Sequence, residues 1–158
     1  INLWHHGSIM IVIALMMIGA CAGSTSGGIK IDRLVLIVKN LKNEMYRILF
    51  PISINPVRVN GKVLSNDMTA KVCAFLLLFE LSLFIGSLAL SLSGINLFDA
   101  IFTSMSCLSN NGLGYGFTGQ NFADINPYGK WVLSFLMLVG RLEFSAVMIL
   151  LTKAFWSK

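Results

Sequence analysis

Arg141 and Glu143 interrupt the otherwise apolar stretch MLVGRLEFSAVMILL, residues 137–151. They are the only charges in the 22 residues between Lys130 and Lys153, and Arg141 stands near the centre of that run. In a segment that crosses a bilayer, an arginine so placed lies near the midplane, where a charge is costly and usually functional. Two glycine-rich polar stretches accompany it: GACAGSTSGGIK at residues 19–30 and LSNNGLGYGFTG at residues 108–119. Glycine-rich backbone can aim neighbouring carbonyls at one dehydrated cation. A guanidinium keeps its charge and obstructs such a cation. The chemistry these residue types suit is ion coordination, not bond making.

Other patterns carry less. GYGFTG (residues 114–119) matches G-x-G-x-x-G, but no βαβ unit surrounds it. GSTSGGIK (residues 23–30) approaches a phosphate-binding loop, yet Lys30 is displaced by one position and no Ser or Thr follows it. His5 and His6 are adjacent, which is not a helical ligand spacing, and no third ligand is near. Cys21, Cys73 and Cys107 are widely spaced in apolar context, which predicts buried, inert thiols and no disulfide framework or metal site. Glu80 reads as a hydrogen-bonded helix contact, with a proton relay as the sharper alternative.

The elements that must position these residues are set by an apolar composition. Hydrophobic residues make up 56% of the chain and charged residues 12%, against roughly 25% charged in soluble domains. The environment implied is a lipid bilayer. The net charge of +5 is concentrated: eight of the twelve basic residues lie in residues 29–71, opposed there by Asp32, Glu44 and Asp67. No basic stripe alternates with aromatic residues, so nucleic acid is not an expected partner. The chain opens on Ile1 and enters an apolar run at once, which predicts a piece of a longer protein. A signal peptide over residues 9–22 is disfavoured, because only Trp4, His5 and His6 stand where a basic leader belongs and further apolar runs follow.

Residues 3–20 predict an apolar helix that unwinds at residues 19–30, where Gly19, Gly23, Gly27 and Gly28 cannot sustain regular helix. Irregular backbone at membrane depth is tolerated where it is buried in protein or lines a wet cavity. Residues 29–50 predict an amphipathic helix with Lys39, Lys42 and Arg47 on its polar side. Alternating valines around Asn60-Gly61 predict a tight hairpin. Residues 72–93 carry one charge, Glu80, and are long enough to span about 30 Å of hydrocarbon. Residues 97–107 are too short to cross and must be re-entrant or interfacial. Residues 128–156 form the long helix that carries Arg141. The basic loop is expected in the cytoplasm and the glycine-rich return outside, by the excess of Lys and Arg in the former.

A spanning helix, a short re-entrant helix, a glycine-rich return and a second spanning helix are the plan of a cation-channel pore unit. The competing readings are a polytopic membrane enzyme built on Glu80, Arg141 and Glu143, and a non-conducting scaffold. An enzyme wants a nucleophile or metal cluster beside those charges, and none is visible; a scaffold does not need the short helix with its glycine-rich return.

Three stretches, GACAGSTSGGIKIDR, CLSNNGLGYG and KWVLSFLMLVGRLE, together with the hairpin NPVRVNGKV, carry a specific resemblance. The chain resembles the C-terminal part of the Trk/Ktr potassium-uptake family, of the TrkH membrane-subunit type. That resemblance implies an all-α membrane protein of helix–pore-loop–helix repeats, four of them around one pore. Residues 1–28 would be the last helix and intramembrane gating loop of the third repeat, and residues 29–71 a cytoplasmic helix and hairpin. Residues 72–158 would be the whole fourth repeat: first helix 72–93, pore helix 97–107, filter 108–114 and second helix 128–156.

Carried over by position, the potassium filter falls on Leu108, Ser109, Asn110, Asn111, Gly112 and Leu113, with the ion at Ser109, Asn110, Asn111 and Gly112. Relatives with Asn-Asn-Met-Gly-Pro-Gly differ from Ser109-Asn110-Asn111-Gly112-Leu113-Gly114 in flanking side chains while the filter glycine is kept. The gate falls on Gly19, Ala20, Ala22, Gly23, Ser24, Thr25, Ser26, Gly27 and Gly28, with Arg141 facing the pore. Arg141 would donate hydrogen bonds to the loop, its alternative being a structural pair with Glu80 or Glu143. Glu143, two residues on, projects from another part of the helix. The resemblance also implies a bacterial inner-membrane location, a homodimer and a cytosolic nucleotide-binding regulatory subunit of the TrkA type. The cargo is K+; no cofactor and no enzymatic activity are expected in this chain.

Overall fold

The computed structural model describes residues 4–21, 23–24, 27–50, 58–59, 62–63, 66–119 and 121–151. The first helix, α1 (His6–Ile18), begins where His5 folds its Nδ1 onto the Gly7 amide at 3.3 Å. It ends where Gly19 takes φ +69°, a conformation open to glycine and strained for other residues. The expected helix over residues 3–20 is therefore trimmed at both ends. His5 serves as a cap.

The second helix, α2 (Ile31–Leu49), confirms the amphipathic segment within two residues at each end. Its orientation is less obvious. Arg33, Asn40 and Glu44 lie toward the next helix, while Val35, Val38, Met45 and Ile48 are exposed. The face toward α3 is thus mixed, since Leu36 and Ile37 line it beside Asn40 and Glu44, while Lys39, Lys42 and Arg47 are exposed along with part of the apolar arc. Strands β1 (Arg58–Val59) and β2 (Lys62–Val63) pair antiparallel, with Val59 opposite Lys62. This register leaves a two-residue connection at Asn60 and Gly61, which lie outside the described residues.

The third helix, α3 (Asn66–Leu92), starts six residues before the apolar run. Hydrocarbon demands apolar side chains, but helical hydrogen bonding continues through Thr69 and Lys71, and an acid such as Asp67 suits a helix N-terminus. Among the described residues, Met68–Leu92 is the helix long and apolar enough to cross a membrane. Helix α4 (Leu97–Leu108) matches the expected short helix to within one residue. At about 18 Å it cannot cross. Helix α5 (Pro127–Leu151) opens on a proline, favoured at a first helical position; residues 152–156 of the expected helix lie outside the described residues.

Among the described residues the regular structure apart from the hairpin is helical. Helix α4 packs between α3 and α5, with α1 against it as well. The core joins Phe79 and Leu90 of α3, Phe102, Met105 and Leu108 of α4, and Leu133, Leu136 and Val139 of α5. Close approach of α3 and α5 depends on Gly86, where a β-carbon would come 2.5 Å from Leu136 Cδ2. The outer faces remain apolar, with Leu77, Leu81, Phe84 and Trp131 exposed. One expectation is corrected: Cys107 is buried, but Cys21 and Cys73 are exposed, Cys21 in the glycine-rich loop beyond α1 and Cys73 on a side of α3 turned away from the core.

Candidate ion-pathway site

The site begins at the C-terminus of α4, where helical carbonyls lose their partners and leave about half a negative charge. The chain closes this end with a Schellman motif. Asn110 takes the left-handed conformation (φ +56°), its amide donates to the Cys107 carbonyl at 3.1 Å, and the Asn111 amide donates to the Ser106 carbonyl at 3.0 Å. The buried Ser109 hydroxyl donates to the Met105 carbonyl at 2.7 Å and accepts from Asn111 Nδ2 at 3.1 Å. Two residues on, Gly112 again has positive φ, +71°. Left-handed residues at alternate positions turn neighbouring carbonyls toward one side. Nothing stands within 4 Å of a β-carbon built on Gly112, so its backbone angle, and not crowding, is what favours glycine there. Asn111, Gly112 and Leu113 are exposed.

The inner end of this segment is held by backbone. The Gly27 amide donates to the Ser109 carbonyl at 2.9 Å. A β-carbon on Gly27 would lie 2.6 Å from the Leu108 carbonyl oxygen, and one on Gly140 would run into that same oxygen. Asn110 Nδ2 donates to the Met137 carbonyl of α5 at 3.3 Å. The carbonyls of Leu108 and Ser109 thus face the loop and α5. A carbonyl has two lone pairs, so Ser109 keeps one beyond its bond to Gly27.

The outer end is held by side chains. Asp99 Oδ2 accepts from the Phe117 amide at 3.2 Å, and its carboxylate occupies the space a side chain on Gly116 (φ +59°) would need. The hydroxyls of Thr103 and Thr118 meet at 2.9 Å. Thr118 donates to the Tyr115 carbonyl at 3.0 Å, so its one proton is taken and Thr103 is the donor between them. The Tyr115 ring packs edge-on to Phe98 at 5.8 Å and tilted to Phe102 at 5.4 Å.

The unwound stretch after α1 closes on itself. Amides of Ile29, Lys30 and Ile31 donate to carbonyls of Met17, Ile18 and Ala20 at 3.0, 3.0 and 3.2 Å. A β-carbon on Gly19 would meet the Gly27 oxygen at 2.6 Å. Gly23 and Ser24 are exposed and Gly28 is buried; Ala22, Thr25 and Ser26 lie outside the described residues. A cavity of about 10 Å³, room for about one water, is lined by Gly27, Gly28, Lys30, Arg33, Phe75, Phe79 and Gly140.

The expected gate and filter segments therefore meet at Gly27 and Ser109. Arg141 is exposed, one residue beyond the Gly140 contact, and it is Gly140 that lines the cavity. Glu80 is exposed on α3, and the Glu143 side chain lies outside the described residues. Sequence reasoning missed Arg33, Asp99, Thr103, Thr118 and Gly140. Gly140 did leave a signal: a glycine inside an apolar helix costs roughly 1 kcal/mol against alanine and hints at a close approach.

A long apolar helix, a short buried helix, a glycine-bearing return and a second long helix define a helix–pore-loop–helix unit of a membrane protein. Comparison with known proteins agrees. The TrkH family model, described as cation transport protein, matches residues 1–158. The Trk system potassium uptake protein TrkH of Salmonella typhimurium is 33% identical over 147 residues, covering 93% of this chain and 30% of the relative. The Trk system potassium uptake protein TrkI of Halomonas elongata is 34% identical over 156 residues, covering 97% and 32%. The crystal structure of the potassium transporter TrkH from Vibrio parahaemolyticus superposes with a TM-score of 0.87 at 33% identity, over 97% of this chain and 33% of that one. The chain belongs to the TrkH cation transport protein family, a family of transporters and not of enzymes. It spans about a third of the length of these relatives.

Proposed function

We propose that this chain supplies one quarter of a potassium-uptake pore, and its gate, in the cytoplasmic membrane. The observation that carries the reading is the alternation of positive φ at Asn110 and Gly112 just beyond a helix C-terminus. A helix end favours a cation, and alternating backbone handedness presents carbonyls to it. Ser109, Asn110, Asn111 and Gly112 are the proposed ion-binding residues, flanked by Leu108 and Leu113. The loop at residues 19–28, hydrogen-bonded to Ser109, is the proposed gate, with Arg141 as the electrostatic barrier beside it. Three further filter strands, a second copy of the protein and a cytosolic nucleotide-binding subunit of the TrkA type complete the working assembly in this reading. The names of the relatives, all Trk potassium uptake proteins, support potassium as cargo.

The test is cation flux through the full-length protein in liposomes. Gly112→Ser places a side chain on a left-handed residue and should reduce discrimination of potassium over sodium by roughly tenfold. Arg141→Ala should raise resting flux per folded molecule. Unchanged selectivity in well-folded Gly112→Ser protein counts against the filter. Unchanged flux with less folded Arg141→Ala protein makes the arginine a structural tie.

A further inference from the structure

The end of α1, the loop and the start of α2 form one body, laced by the three amide–carbonyl bonds from Ile29, Lys30 and Ile31. This body grips the following repeat at two places six residues apart. At Gly27 an amide donates to the Ser109 carbonyl. At Arg33 the guanidinium carbon lies 3.9 Å from the centroid of the Phe75 ring. Phe75 lies in Met68–Leu92, a helix long and apolar enough to cross a membrane, and the Arg33 guanidinium packs over its ring. A guanidinium in that position is attracted by the ring quadrupole. Both grips border the same water-sized cavity.

Beyond Arg33 the seam between α2 and α3 loosens. A cavity of about 170 Å³ opens there, lined by Leu36, Ile37, Asn40 and Glu44 on one side and Thr69, Val72 and Cys73 on the other. No residue of α2 is fully buried. A helix attached through an open seam can shift as a unit, and Arg33 on Phe75 is a close contact between its first turn and α3.

We propose that Arg33 is a positioning residue that latches α2 to α3 through Phe75 and so keeps Gly27 seated on the Ser109 carbonyl. The latch rests on the reading of the loop as a gate. Movement of α2 away from α3 breaks the cation–π contact and draws the adjoining loop off the filter. A force applied to the cytoplasmic part of α2 thereby reaches the ion pathway. Arg141 acts on the passing ion; Arg33 acts on the loop.

The experiment uses the full-length protein in liposomes, with exposed thiols, Cys21 and Cys73 among them, replaced by serine. Spin labels at Val38 and Leu77, both exposed, report the α2–α3 distance, and radioactive rubidium reports resting flux. Arg33→Gln and Phe75→Leu should each widen the distance distribution and raise resting flux about tenfold, the scale of one desolvated cation–π contact. The double variant should go no further than either single one. Arg33→Lys keeps a cation over the ring and should stay near wild type, which a purely packing role of the guanidinium would not allow. An unchanged distance in Arg33→Gln overturns the latch. A widened distance with unchanged flux overturns its coupling to the loop. If the wild-type protein passes no cation, the transport reading falls, and the distance alone still decides whether Arg33 fastens α2.

Discussion

The two ends of the return segment after α4 are fastened in opposite ways. The outer end is tied to its own pore helix by side chains: Asp99 to the Phe117 amide, Thr103 to Thr118, and Tyr115 against Phe98 and Phe102. The inner end is tied to other elements: Gly27 to Ser109 by backbone, the Asn110 side chain to the Met137 carbonyl, with Gly27 and Gly140 closing on the Leu108 carbonyl. Several contacts within one element pair make a fixed anchor. At the inner end the contacts reach across to the residue 19–28 loop and to α5, so a shift of either element bears on them directly.

Gly140→Ala is the largest expected disruption of that contrast. Its β-carbon would strike the Leu108 carbonyl oxygen, a backbone atom that cannot rotate away. Overpacking of this kind costs about 1–3 kcal/mol or more, against a gain of roughly 1 kcal/mol in helix propensity. Thermal unfolding in detergent should show a clear net loss; a net gain means that α4 and α5 do not approach as described.

Gly27→Ala ranks next. The added carbon meets the Leu108 oxygen at 2.6 Å and Ser109 atoms at 3.0 Å, but the loop can retreat. About 1 kcal/mol of stability should be lost with the Gly27–Ser109 bond, while resting flux rises several-fold. If stability falls and flux does not change, the inner attachment is structural and the contrast between the two ends loses its functional meaning.

The smallest effect is expected from Thr103→Val, which keeps the shape and removes the donor to Thr118. About 1 kcal/mol should be lost, with ion selectivity and resting flux unaltered, because the remaining outer contacts hold. A selectivity change as large as that of Gly112→Ser would transfer control of the filter to the outer anchor.

Residues acting through local backbone chemistry were legible in the sequence. The glycines at residues 19–28 predicted the unwound stretch, Asn60-Gly61 the hairpin register, and residues 97–107 a helix too short to cross. Gly112 was recognisable because a left-handed angle favours glycine whatever surrounds it. Less legible was which side of each helix meets a neighbour. Arg33, Asn40 and Glu44 of α2 turn toward α3 beside Leu36 and Ile37, Cys21 and Cys73 are exposed, and Gly140, not Arg141, closes on the Leu108 carbonyl. Periodicity names the arcs of a helix without saying what each one faces.

The sequence by itself determined that the chain is a membrane protein of helices broken by two glycine-rich segments, since apolar run lengths and backbone-permissive residues are properties of local chain. Tertiary structure alone decided that those two segments touch, at Gly27 and Ser109, and that Arg33 reaches Phe75. Both contacts join residues far apart in the chain, and the first is set beside the close approach of α4 and α5 at Gly140. There the lack of a side chain sets how closely the helices come together, and no local pattern encodes that distance.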